Sequence, residues 1–209
     1  MQDSIRSYIS TGLIHFMAYP QTMKGEGPIE ETIRRIALDD YFDSIEVTWI
    51  KDADVRKRCA KMLKESGMRV YYGAQPRLLT TGYNANDLDE EKRLIAERTL
   101  LEGVDEAYEM GALGFAFLSG KYEDATFEQS FAQLKKTTKA VCDYAKKKGS
   151  MRVALEVFDY DVDKCSIIGP AEVAARFGRE MCRECSNFGL MVDLSHLPLL
   201  HESAKASLV

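Results

Sequence analysis

Three side chains in the last third of the sequence have types and positions that suit one piece of chemistry. Glu156 lies in Met151-Arg-Val-Ala-Leu-Glu156-Val-Phe-Asp159, and Asp193 and His196 lie in Gly189-Leu-Met-Val-Asp193-Leu-Ser-His196-Leu-Pro198. Each apolar run has strand character and delivers an acid at its end; the second brings a histidine three residues later, before a proline that stops the strand. All three are oxygen or nitrogen donors with no thiolate among them, a set that suits Mn, Mg, Co or Zn in a site with open positions. Asp193 and His196 need not reach the same ion: one can bind metal while the other holds the ligand.

Such residues need a frame that brings successive strand ends to one mouth, and the rest of the chain reads as that frame. Leu13 to Pro20 predicts a first strand, and Ile29 to Phe42 carries helical periodicity. The loop Gly25-Glu-Gly27-Pro28 between them lacks the lysine and hydroxyl of a phosphate loop and reads as a mobile connection. Ser44 to Ile50 is a second strand with Glu46 inside it, and Asp52 opens a helix that ends at Ser66-Gly67. Arg69 to Pro76 is a third strand, followed by a polar loop and by Asp87-Leu-Asp-Glu90 as a helix start. Ala112 to Gly120 is a near-continuous apolar run suited to a strand buried on both faces. Thr126-Phe-Glu-Gln129 reads as the cap of the next helix, whose last turn, Lys146-Lys-Lys148, complements the helix dipole. Gly169-Pro170 starts the helix between the strands of Glu156 and Asp193.

Strand and helix alternate six times without a linker, the pattern of a parallel α/β domain whose right-handed crossovers curl toward a barrel. We expect a single TIM-barrel-like domain over residues 1–209, with about six of eight βα units present. An eight-stranded barrel takes about 250 residues and this chain has 209, so the domain is expected to be incomplete at its C-terminal end. A sheet left open there would expose its edges and favour association into a homo-oligomer.

Composition narrows the partners. A formal charge of −5 argues against nucleic acid and anionic membrane surfaces. No apolar run approaches a membrane span and the N-terminus lacks a signal-peptide pattern, so a cytoplasmic protein is the expectation. The five cysteines fall mostly inside helical patterns, and Cys182 and Cys185 read as small core residues rather than a metal or redox pair.

Leu155-Glu156-Val-Phe-Asp, Val192-Asp193-Leu-Ser-His196-Leu-Pro-Leu-Leu and Asp163-Lys-Cys-Ser-Ile-Ile-Gly-Pro170 resemble the sugar phosphate isomerase/epimerase group of the xylose isomerase-like TIM barrels, a fold shared with the apurinic endonucleases. The resemblance covers the whole chain as βα order and is motif-specific over residues 151 to 200. It implies a divalent metal-dependent isomerase or epimerase of a small sugar or related polyol or keto compound, working by proton transfer through an enediolate. In that scheme Glu156 is both metal ligand and catalytic acid/base, Asp193 a metal ligand and His196 a contact to substrate hydroxyls. The family adds a histidine from strand seven and a glutamate from strand eight, which this sequence does not contain. An inactive or purely binding barrel fragment is therefore a second hypothesis. A DNA-repair phosphodiesterase of the endonuclease type is a third, disfavoured because Tyr71, Tyr72, Phe115 and Phe117 occupy the strands where further histidines would be needed.

Other candidates have two readings each. His15 could touch substrate from the barrel mouth or be a core histidine with a partner. Glu46 points away from Ile45 and Val47 and so into a barrel, as a pocket carboxylate or as a paired structural acid. Trp49, Tyr72 and Phe117 read as packing before pocket wall. Asp159, Asp161 and Asp163 form an acidic loop that could reach a substrate hydroxyl, and read as a solvated, helix-capping loop before that.

Overall fold

The computed structural model describes residues 7–207. Six strands form one all-parallel sheet in sequential order: β1 (Gly12–Ile14), β2 (Ser44–Val47), β3 (Arg69–Gly73), β4 (Gly114–Leu118), β5 (Arg152–Val157) and β6 (Phe188–Val192). The crossovers carry α2 (Ile29–Ala37), α3 (Ala53–Ser66), α5 (Glu90–Glu109), α6 (Phe127–Lys148) and α7 (Ala171–Glu184), with short helices α1 (His15–Ala18), α4 (Gln75–Thr81) and α8 (Ala204–Ser207). This is the TIM-barrel-like order expected from the sequence, with six βα units.

Strand register explains which residues meet helices and which face the interior. Val47, Tyr72, Phe115, Val153 and Phe188 are aligned across five strands and all are buried, forming the layer under the helices. The alternate positions Gly73, Ala116, Ala154 and Gly189 align in the same way and are small. A period of two separates the two sets, so bulky packing goes to the helix side and small residues line the inner face.

Helix signals in the sequence were met unevenly. Asp52 accepts hydrogen bonds from the amides of Asp54 and Val55, and α3 stops at Gly67 with φ 74°, the left-handed conformation glycine adopts freely. For α5 the capping acid is Asp89, two residues beyond the expected Asp87, which instead accepts from the Asp89 amide. Thr126 makes no capping bond: a 3₁₀ turn over Asp124–Thr126 leads straight into α6 and turns its hydroxyl toward Glu123. β1 is shorter than expected because the chain coils into α1 at His15. Far from swinging loose, the Gly25–Gly27 loop is tied down, since Trp49 donates to the Met23 carbonyl and Lys51 to that of Gly25.

One buried network fixes the end of β3. Arg77 of α4, 4% exposed, reaches Glu106 of α5 at 2.8 Å and donates to the Tyr72 hydroxyl, which in turn donates to Glu106. A charge held this deeply needs such partners, and the result is that α4 is clamped onto α5.

Candidate metal and sugar site

Glu156, Asp193 and His196 come together at the ends of β5 and β6, each offering a ligand atom, with these atoms all within 4.8 Å of one another. Each side chain has one atom held by the protein. Glu156 Oε2 accepts from Gln75 Nε2 at 2.6 Å. Asp193 Oδ1 accepts from the Ser195 amide at 2.8 Å. His196 Nδ1 lies 3.0 Å from the Val157 carbonyl, which can only accept, so the ring proton sits on Nδ1 and the Nε2 lone pair is directed elsewhere. Of the atoms left over, Asp193 Oδ2 is 3.9 Å from His196 Nε2, and Glu156 Oε1 lies 3.8 Å from the Nδ1 edge of the same ring. The imidazole is also stacked on Phe158, centroids 4.2 Å apart, which fixes the ring plane.

The electrostatics are those of acids crowded in a half-dry space. Burial first, and then the Asp193 charge, push the Glu156 carboxyl above its usual range, against the opposing pull of Gln75 and His196. Asp193 goes the other way: despite partial burial, its bonds to Ser195 and the nearby His196 hold it down. Glu46 lies between the fully buried Ile45 and Val47 and is itself less buried than either, as expected for an interior-facing position. Burial, then Glu156 and Asp193, push its carboxyl up to about 7, so it shares the electrostatic space of the cluster without being one of its three donors.

His15 is placed differently. It is 2% exposed and its Nε2 lies 2.8 Å from the Thr32 hydroxyl of α2. That hydroxyl donates to the Pro28 carbonyl, so it accepts from His15 Nε2–H, and the imidazole is committed to the helix layer. Tyr72 and Phe117 are fully buried packing residues.

Two contributors escaped sequence reasoning. Gln75, the first residue of α4, supplies the bond to Glu156; the available signal was an amide directly before Pro76 at a strand end. Asp159 is no solvated loop acid. It is 1% exposed and accepts from the amides of Val162, Asp163, Lys164 and Cys165, which hold its carboxyl down to about 2 in spite of burial. It thereby folds the loop after β5 around itself. A cleft of about 630 Å³ opens beside that loop, lined in part by Tyr122, Phe127, Tyr160 and Val173, and contains none of the three clustered residues.

A divalent ion fits the donor set on its chemistry: two carboxylates and an imidazole, each oriented by a partner on its other atom. Among the described residues no helix is long and apolar enough to cross a membrane.

Solved structures of similar fold include D-psicose 3-epimerase with D-tagatose from Clostridium cellulolyticum H10, at 14% identity and TM-score 0.75 over 95% of this chain and 68% of that one. An AP endonuclease family 2 protein from Brucella melitensis aligns at 17% identity and TM-score 0.71, over 94% and 73%. The 3-keto-D-glucoside 4-epimerase from E. coli aligns at 16% identity and TM-score 0.68, over 96% and 74%. The chain thus spans roughly two thirds to three quarters of the length of these structures, and at such identities they establish the fold alone. No curated protein sequence matches it. The model of the xylose isomerase-like TIM barrel family matches residues 35–205, most of the sequence, and the chain belongs to that family.

Proposed function

We propose that this chain binds a divalent cation through Glu156, Asp193 and His196 and, beside it, a small sugar or related hydroxy ketone, on which it moves a proton at the carbon next to the carbonyl. The observation that carries this reading is the convergence of three oxygen and nitrogen donors within 4.8 Å, each steadied by a protein partner on its other atom. The presence of sugar epimerases among the structures of similar fold supports the substrate class.

A bound cation would supply positive charge against the substrate carbonyl oxygen and lower the cost of the charge that develops there. Glu156 is the base: burial raises its proton affinity toward what proton abstraction from a carbon acid needs, and the same carboxyl can return the proton. Gln75 holds that carboxylate in one orientation. His196, its ring fixed by Val157 and Phe158, would turn its free Nε2 to the cation, and Glu46 offers the substrate a polar contact from the interior of the sheet.

Manganese titrated into the purified chain should raise its melting temperature, by an amount equivalent to about 2.7 kcal/mol at a hundredfold excess over Kd. In deuterated water, D-fructose or D-tagatose incubated with the manganese-loaded protein should gain deuterium next to the carbonyl. Glu156→Gln should slow this by about a hundredfold or more while the protein stays folded. A melting temperature indifferent to manganese, together with no deuterium uptake, would rule the proposal out.

A further inference from the structure

The Gln75 side chain has two ends, and only one of them is used. Its Nε2 donates to Glu156 Oε2, while Oε1 has no hydrogen-bond partner among the described residues, although Gln75 is only 6% exposed. A buried amide oxygen left without a donor is a liability that native proteins rarely carry for nothing. Turning the amide over gives no relief, because the oxygen would then face the Glu156 carboxylate. The backbone does not yield either: Gln75 opens α4, and two residues later Arg77 clamps that helix to Glu106 and to the Thr99 carbonyl. The acceptor is therefore held in place beside the carboxylate proposed as the base.

The missing side chain at Gly73 is what lets the oxygen sit there. At Gly73 a Cβ would collide with Glu46 Oε1 and lie 2.8 Å from Gln75 Oε1 and 3.2 Å from Phe16 Cε1. Glycine thus lets the Glu46 carboxyl, the Gln75 oxygen and the Phe16 ring edge converge over the end of β3. An acceptor pair beside an aromatic edge suits a C–OH group, whose hydroxyl donates to the amide oxygen while its carbon rests on the ring.

We propose that Gln75 is a sugar-binding residue, its Oε1 accepting one hydroxyl of the substrate held beside Glu156, with Gly73 providing the room. The assignment rests on the reading of the site given above and adds to it a subsite where β3 gives way to α4.

Calorimetric binding of D-tagatose and its monodeoxy analogues to manganese-saturated protein tests this, without requiring turnover. For the wild type, one deoxy position should cost about tenfold or more in affinity, because the buried acceptor is then left unpaired. Gln75→Met should bind the parent sugar about as weakly and lose nothing further when that same hydroxyl is removed. Gln75→Asn, which keeps the amide but withdraws it by one methylene, serves the same comparison if Gln75→Met does not fold. Wild-type discrimination retained at every position in the variant would overturn the subsite while leaving the metal and sugar site standing. Failure of the wild type to bind any sugar of the series would overturn both.

Discussion

His15, directly after β1, and His196, just beyond β6, sit at opposite edges of one parallel sheet, and each commits one ring nitrogen to a hydrogen bond. The partner decides what the other nitrogen can do. His196 gives Nδ1–H to the carbonyl of Val157 on the neighbouring strand, a partner that cannot turn away, and so presents Nε2 to Asp193. His15 gives Nε2–H to Thr32, a side chain of the covering helix, and is drawn under that helix and out of the cluster. The same contrast holds around the mouth: Asp193 is oriented by the Ser195 amide and Asp159 by four backbone amides. At the mouth His196 and Asp193 are aimed by backbone partners and Glu156 by the Gln75 amide, each keeping an atom free, whereas on the β1 side Thr32 draws His15 under the helix.

The largest expected effect separates His15 from Glu46 by pH. Burial lowers the His15 imidazole to about 4, while the unfolded chain keeps that proton up to about 6.5. Between these values the unfolded state binds more protons, so the His15 contribution is fully present above pH 6.5 and is lost as pH falls toward 4. Glu46 has the opposite sign. Its carboxyl is pushed up to about 7 from an ordinary value near 4.5, so the folded state binds the extra proton and stability declines as pH rises between them. Each contribution is about 3 kcal/mol, and from pH 4.5 to 6.5 the two slopes oppose each other. The pH slope of urea unfolding for chelator-treated wild type should therefore lie between those of the two single variants. His15→Gln should expose a stability that falls with rising pH, and Glu46→Gln one that climbs. Parallel profiles for wild type and both variants would show that neither group is held as the structure places it.

Much of this was legible in the sequence and some was not, for identifiable reasons. Strands announce themselves by apolar runs, and a polar donor that ends such a run in a parallel sheet stands out, so Glu156, Asp193 and His196 could be picked by position alone. Gln75 could not, because Gln-Pro after a strand reads as an ordinary turn, and only the three-dimensional placement of α4 brings it across to β5. The cage around Asp159 is invisible for a different reason: its donors are backbone amides, which carry no residue-type signature. His15 stayed open between two readings because β1 coils into α1 at that residue, and periodicity does not locate such a break.

A smaller effect sharpens the histidine comparison directly. His196→Gln should weaken manganese binding by about tenfold or more, the scale at which ligands and their orienting partners act, with little loss of stability since the ring is partly exposed. His15→Gln should leave manganese affinity unchanged and lower the urea midpoint. Isothermal titration with manganese and urea unfolding of both variants suffice, and equal metal affinities would remove His196 from the ligand set.

The smallest effect carries the same lesson to the helix starts. Asp52 and Thr126 both precede helices and both have cap-type side chains, but Asp52 accepts from two backbone amides whereas Thr126 meets only the exposed Glu123 carboxylate. Asp52→Ala leaves two amides of the first turn without their acceptor and should cost about 1 kcal/mol, or about 2–4 °C in melting temperature for a chain of this size. Thr126→Ala removes a solvent-screened contact between side chains and should cost no more than about 0.5 kcal/mol. If the two variants melt together, the nature of the partner is not what sets the value of a polar side chain here, and the contrast drawn between His15 and His196 loses its physical basis.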